Sequence, residues 1–376
     1  MADDAVLPLA GFTIAVTADR RREELTRLLE RRGAQVVGTP AIRIVPLPDD
    51  GELLAATRDS LSAPLDFVVA TTGIGFRGWL EAADEWGLAD KLVHHLSTAR
   101  IVTRGPKARG AVRAAGLEDA WSPASESSAE VLDHLLEGRL TGCRVVVQLH
   151  GEPQPEFCDA LRAAGAMVIE VPVYRWVVAD DDGALSRLVE MAIGRQLDAI
   201  TYTSAPAVLS MLRVAAPLGL EQAFVHALKN DVVPICVGPV CAAPFVELGV
   251  ESVVPDRARL GALVRAAVDE VPARRAVTAE IGGQILQVRG HAATFAGRLV
   301  PLAPGPLAVL KALAREPGRV LSRRELITML PGDGDEHAVE MTVARLRGAF
   351  GEMQVIETVV KRGYRLATGV GVSEPD

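Results

Sequence analysis

Four short segments place hydroxyls or glycines where a strand gives way to a helix: Thr71-Thr72-Gly73, Gly105-Pro106-Lys107, Thr203-Ser204-Ala205 and Gly238-Pro239-Val240. Each follows an apolar, β-branched run and precedes a stripe of Ala, Leu and Val. The free N–H groups at such helix starts can hold an anion. The candidate ligand contacts are Thr71, Thr72, Gly73, Gly105, Lys107, Thr203, Ser204, Gly238 and Val240. Ser, Thr and Gly are also preferred N-caps, so at each position the pattern leaves capping and ligand binding as alternatives.

A second set of residues points to a polyanion. Between Glu336 and Phe350, Val339, Val343, Leu346 and Phe350 recur at i, i+4, i+7 and i+11, which predicts a helix with one buried stripe. His337, Glu340, Met341, Thr342 and Arg345 are left for the other side. After Gly351, VIETVV and KRGYRLA read as two strands joined by a basic turn at Lys361-Arg362-Gly363. Ser322 with Glu325 three residues on predicts a capping box and a short preceding helix. A helix pair beside a basic hairpin can set one helix in a major groove and a wing on the adjacent backbone. Upstream, IGGQILQVRG, HAATFAG and RLVPL predict a small antiparallel sheet, followed by a helix from about Gly305 to Glu316.

The elements that must position the first set come from an internal repeat offset by 131 to 133 positions. Gly11 opens GFTIAVT and Gly142 opens GCRVVVQ; Gly33-Ala34 matches Gly165-Ala166; Asp66 opens DFVVATT and Asp198 opens DAITYTS. Gly105-Pro106 and Gly238-Pro239 each reach a glycine eleven residues later, at Gly116 and Gly249, and Pro123 matches Pro255. Short β-branched strands alternating with helices predict two similar α/β lobes with parallel sheets. The polar stretch Glu270 to Arg275 reads as the approach to a linker at 273–277.

With 376 residues the chain suits two or three domains with cores of their own. Its net charge of −8 argues alone against nucleic acid, but residues 277–369 hold twelve Lys and Arg against nine Asp and Glu. Cys143, Cys158, Cys236 and Cys241 form no CxxC pair, so neither a disulfide framework nor a metal site is expected, and no cofactor. The N-terminus lacks the pattern of a signal peptide, and no apolar run nears the roughly 18 residues of a membrane span. A cytoplasmic protein with no membrane partner is the expectation.

The succession VTADRRREELTRLLERRGAQVVGTPAIRIVP, DFVVATTGIGF, VTRGPKARGAVRAAGL, LRAAGAMVIEVPVYRW, DAITYTSAPAV and CVGPVCAAPFVELGV resembles uroporphyrinogen-III synthase over nearly all of residues 11–270. The resemblance implies a discontinuous first lobe, 11–44 with 174–272, and a second lobe inserted at 46–171. A two-stranded hinge near Arg43-Ile44-Val45 and Val173-Tyr174-Arg175 would join them. Members of that family close a linear tetrapyrrole bearing eight carboxylates while inverting its last ring, without metal or cofactor. A family tyrosine matches Tyr174, which would be either a proton donor or a packing residue of the hinge. Two departures weigh against the lyase reaction: Thr17-Ala18-Asp19 replaces Thr-Arg-Pro, and His150-Gly151-Glu152-Pro153-Gln154-Pro155 replaces a basic, flexible loop.

Residues 278–368 resemble the winged-helix domain of OmpR/PhoB-type response regulators, most specifically at 302–313, 318–326, 339–347 and 358–365. The resemblance implies base-facing roles for Glu340, Met341 and Arg345, and phosphate contacts for His337, Thr342, Arg347 and Thr358. Arg345 has the chemistry to bridge guanine O6 and N7. The wing departs from the family at Val360 and Lys361, which leaves phosphate contact by Lys361 and Arg362 as its expected role.

The fold class expected is therefore α/β, two parallel-sheet lobes and a two-stranded hinge, plus an α+β winged helix-turn-helix domain. The whole arrangement resembles actinobacterial regulators of nitrate and nitrite assimilation. That resemblance implies double-stranded DNA as partner, an anionic or tetrapyrrole ligand in the cleft, cooperation with a global nitrogen regulator protein, and a dimer on DNA. The alternative expectation is an active synthase with a DNA-binding tail.

Overall fold

The computed structural model describes residues 6–45, 51–149, 151, 153–179, 183–332 and 335–367. The expected loop residues His150 and Glu152, the start of the second lobe at 46 and the end of the winged-helix domain at 368 lie outside them. Contacts divide the chain into one unit of Met1–Ile42 with Ala179–Asp376, and another of Arg43–Val178.

The first unit holds the first lobe, built on a parallel sheet in the order Val233–Cys236, Ala199–Tyr202, Thr13–Val16, Gln35–Gly38. Val233–Cys236, Ala199–Tyr202 and Thr13–Val16 are buried at every position, as expected of parallel strands covered by helices on both faces, whereas Gln35–Gly38 at one edge is not. Leu25 and Leu29 of the helix Arg22–Glu30 and Leu263, Ala267 and Val271 of the helix Leu260–Arg275 close one core with Ile14, Val16 and Ile235.

That last helix corrects an expectation. The segment read as a linker at 273–277 is helical to Arg275, and Val277 already begins a strand. Val264, Ala267 and Val271 keep the helix's buried stripe running into the polar stretch that begins at Glu270, and the helix itself continues through the expected start of the linker. Only Ala276 separates the lobe's last helix from the next domain's first strand.

The winged-helix domain, also in the first unit, begins with an antiparallel sheet of Val277–Ile281, Gln284–Val288, Ala292–Phe295 and Arg298–Pro301. Three helices follow, Pro304–Arg315, Arg323–Ile327 and Glu336–Phe350, then the hairpin Ile356–Val359 with Gly363–Leu366. Leu286, Val309, Leu313, Leu326, Val339, Leu346 and Leu366 lie in one core, so sheet, helices and hairpin fold together. The capping box forms: Ser322 Oγ accepts from the Glu325 N–H at 3.2 Å, and Glu325 Oε2 accepts from the Ser322 N–H at 2.8 Å. The bonds that the Ser322 N–H and hydroxyl donate to it, with Arg319 nearby, hold the Glu325 carboxyl below the usual range.

The second unit carries a five-stranded parallel sheet in the order Asp119–Trp121, Arg100–Thr103, Phe67–Ala70, Arg144–Gln148, Met167–Val171. Phe76, Trp79, Leu92 and Leu96 fill one face of it, and Val131, Leu135, Phe157 and Leu161 the other. Where the chain passes between units, Ile42–Val45 and Arg175–Val178 pair as a two-stranded sheet.

Candidate functional site

The helix Glu336–Phe350 starts on Asp335, whose Oδ1 accepts from the Ala338 N–H at 2.8 Å. Val339, Val343, Leu346 and Phe350 are buried, which turns His337, Met341 and Arg345 outward at four-residue steps. All three are exposed, and the side chains of His337 and Arg345 make no hydrogen bond or ion pair with any described residue. Lys361 and Arg362 at the tip of the hairpin are likewise exposed, and their side chains pair with no described residue. These five side chains are free to meet a partner.

Four other expected contacts are already engaged within the domain. Glu340 accepts from Arg323 Nε at 3.0 Å, and the Arg323 guanidinium also lies 5.5 Å from the Tyr364 ring centre. The Glu340 bond raises the Arg323 pKa. Arg347 donates to Thr358 Oγ1 at 2.9 Å and to the Ile356 carbonyl at 3.1 Å, so this pair ties the helix to the hairpin. Thr342 is only 7 % exposed and packs near Gly305, which corrects its expected place on the outer face. It follows Val339 by three residues and precedes Leu346 by four, and both steps lie on the same side of an α-helix. Thr342→Val should accordingly change stability by at most about 1 kcal/mol. It should leave the salt dependence of DNA binding unchanged; a salt slope lowered by one would restore the phosphate contact. Arg324, exposed on the short helix, is a cation that the sequence reading passed over.

In the second unit the strand ends converge on Tyr174. Gln148 is fully buried; its Oε1 accepts from the N–H groups of Thr71 and Thr72, each at 3.1 Å, while Thr71 Oγ1 donates to the Gln148 carbonyl at 2.7 Å. Thr72 caps the helix Gly73–Glu85 by accepting from the Gly75 N–H at 3.2 Å, and its Oγ1 lies 3.5 Å from the Tyr174 hydroxyl. Gly151 lies against this ring: a Cβ there would stand 3.0 Å from Tyr174 Cε2 and 2.5 Å from Trp176 Cδ1. Tyr174 therefore packs with the second unit, not with the first lobe as the resemblance implied.

Arg104, half-buried before the helix Pro106–Ala114, interacts with Tyr174 and Glu126. Burial lowers its pKa, and the tyrosine and the carboxylate offset part of that. Gly105 abuts Glu126, and Gly73 packs on the Lys107 carbonyl so closely that a Cβ would come within 2.3 Å of its oxygen. Lys107 itself is exposed. The Tyr174 hydroxyl beside Thr72 and the two helix starts that meet at Gly73 and Lys107 thus lie near a guanidinium and a carboxylate that act on each other electrostatically. Arg104, Glu126 and Gln148 were missed at the sequence level; Arg104 directly precedes the Gly105-Pro106 turn.

In the first lobe, Ser204 and Gly238 are the N-caps of the helices Ala205–Ala215 and Pro239–Glu247, and neither makes a side-chain cap bond. Thr203 and Ser204 are half-buried, Gly238 is buried and Val240 is 50 % exposed. Capping is thus seen at Thr72 and not at Ser204. Among the described residues no helix is long and apolar enough to cross a membrane.

The chain resembles known proteins in two blocks. Residues 23–265 match the family Uroporphyrinogen-III synthase HemD, and residues 297–366 match Transcriptional regulatory protein, C terminal. A mutant uroporphyrinogen III synthase of Thermus thermophilus is similar in structure, with a TM-score of 0.59 at 28 % identity over 69 % of this chain and 100 % of that one. The uncharacterised protein YjjA of Bacillus subtilis is 26 % identical over 264 residues, 68 % of this chain and 94 % of its own. The response regulator protein PmrA of Pseudomonas aeruginosa is 36 % identical over 122 residues, 29 % of this chain and 52 % of PmrA. About half of PmrA is therefore spanned. With more than half its length in the first block, the chain belongs to the uroporphyrinogen-III synthase HemD family, and it carries behind that body an OmpR/PhoB-type DNA-binding domain of transcriptional regulators.

Proposed function

We propose that the protein is a cytoplasmic transcription regulator that reads double-stranded DNA with the helix Glu336–Phe350 while its synthase-like body senses an anionic ligand or docks a second regulator. The observation that carries this reading is the exposed outer row His337, Met341 and Arg345 on a helix tied by Arg347 to the hairpin that carries Lys361 and Arg362, all without a side-chain hydrogen bond or ion pair to any described residue. An exposed arginine on a helix of the right diameter can enter a major groove and pair with guanine, while the hairpin cations neutralise phosphates. Arg347 and Thr358 serve this arrangement by bracing helix and hairpin, and Glu340 by holding Arg323.

The genes proposed as targets are those of nitrate and nitrite assimilation, read as a dimer and together with a global nitrogen regulator. Siroheme, which nitrite reduction uses, derives from uroporphyrinogen III, which gives the two-part chain a metabolic rationale. Genomic footprinting of the intact protein with and without nitrate tests this: protection upstream of such genes that changes with nitrate is expected. Protection that ignores nitrate, or falls elsewhere, overturns the target assignment.

A tetrapyrrole or other carboxylate is the ligand we favour, supported by the Tyr174 hydroxyl 3.5 Å from Thr72 Oγ1 and by the electrostatic coupling of Arg104 to Tyr174. The same geometry supports a second reading, retained synthase activity. A coupled assay with hydroxymethylbilane separates the two. Negligible turnover with measurable binding is expected of a sensor, whereas turnover at ordinary enzyme rates that is lost in Tyr174→Phe would establish the enzyme.

A further inference from the structure

The first strand of each copy of the internal repeat begins on an aspartate in the same way, with different consequences. In the second lobe Asp66 Oδ2 accepts from the Arg144 N–H at 2.8 Å, and in the first lobe Asp198 Oδ2 accepts from the Thr13 N–H at 2.8 Å. Asp66 is exposed, and nothing lies within 4 Å of a Cβ built on Gly142. Asp198 is 6 % exposed, and Gly11, the counterpart of Gly142, lies against Ala292 and Arg289 of the winged-helix domain.

The covering element is the turn from Arg289 to Ala292. Arg289 Nη1 donates to the Ala10 carbonyl at 2.6 Å and the Leu7 carbonyl at 3.3 Å, Nη2 donates to Gln287 Oε1 at 3.0 Å, and the guanidinium lies 5.5 Å from the Phe12 ring centre. The His291 N–H donates to the Gly11 carbonyl at 2.8 Å, and its ring Nδ1 sits 3.4 Å from Thr13 Oγ1. Between them Gly290 lies over the Asp198 carboxylate, so that a Cβ there would be 2.0 Å from Oδ2. A buried arginine satisfying main-chain carbonyls and a glycine seated on a buried carboxylate are costly unless the fit is specific.

We propose that the amino-terminal end of the first lobe's sheet is a docking surface for the Arg289–Ala292 turn, and that this joint holds lobe and DNA-reading domain as one cooperative body. Burial raises the Asp198 pKa despite the Thr13 bond and the nearby Arg275, Lys311 and His291, as a carboxyl enclosed from both domains requires. The proposal concerns only how the domains are held, and it stands whatever the operator or ligand.

Limited trypsin cleavage of the full chain after Arg275, next to the one-residue connection, reports whether the joint is closed. Gly290→Ala should raise cleavage there about tenfold and release a C-terminal fragment that persists as a folded domain. Arg289→Met, which removes the carbonyl contacts without adding bulk over Asp198, should release the same fragment, and it decides the matter if the Gly290→Ala fragment is itself degraded. In an Asp198→Ala background, which makes room for the methyl, Gly290→Ala should add less than about a twofold change. Parental cleavage rates in both single variants, or an undiminished Gly290→Ala effect without the carboxylate, overturns the joint.

Discussion

Arg345→Ala should lower affinity for a specific promoter site by about ten- to a hundredfold while leaving binding to unrelated duplex nearly unchanged. A bidentate arginine–guanine pair is worth about 1–3 kcal/mol of discrimination, and nothing within the domain takes the guanidinium's place. The variant should fold normally, because Arg345 is exposed and pairs with no described residue, a setting where substitutions usually stay within about 0.5 kcal/mol. Lys361→Ala makes the informative comparison. With Lys361 proposed to meet a phosphate, its loss should weaken all sequences alike and reduce the slope of log affinity against log salt by about one. If Arg345→Ala footprints like the parent, the groove assignment is wrong.

The largest structural effect is expected at Gly363. This residue adopts φ +136° where the hairpin crosses Leu321, and a Cβ would stand 2.0 Å from the Leu321 carbonyl oxygen and 2.9 Å from Ser322 Cα. Both obstacles are main chain, so the hairpin must move. The cost falls on the reciprocal bonds Leu321 N–H to Tyr364 carbonyl, 2.8 Å, and Tyr364 N–H to Leu321 carbonyl, 2.9 Å. Backbone strain and two lost bonds together predict a destabilisation of about 3 kcal/mol for Gly363→Ala. Calorimetry should show a melting temperature lower by several degrees, and DNA binding should weaken for every sequence as Lys361 and Arg362 lose their place. A melting temperature within about one degree of the parent would show that the crossing is not tight.

Much of this was legible in the sequence because the signals are local. Repeated glycines and aspartates mark the lobes, and the helix Glu336–Phe350 spans the stretch its apolar period predicts. The failures have physical causes. Thr342 was assigned outward by following one row of a helix whose buried face is wider than a row. Residues 270–275 look like a linker by composition, yet Val271 lies in the lobe core. The Glu340–Arg323 pair and the Arg347 bonds span 17, 9 and 11 residues, distances over which composition says nothing about pairing. Gln148 meets Thr71 and Thr72, and Thr72 meets Tyr174, only after strands from separate stretches of chain have paired. Arg289 looks like an ordinary solvated strand end until the first lobe covers it.

The Arg347 bonds to the Ile356 carbonyl and Thr358 Oγ1 leave little slack between helix and hairpin. The separation between the base step proposed for Arg345 and the phosphates proposed for Lys361 is then set before encounter. An operator with one base pair inserted between those two contacts would have to be accommodated by bending or twisting the duplex, since the protein has no spare length to offer.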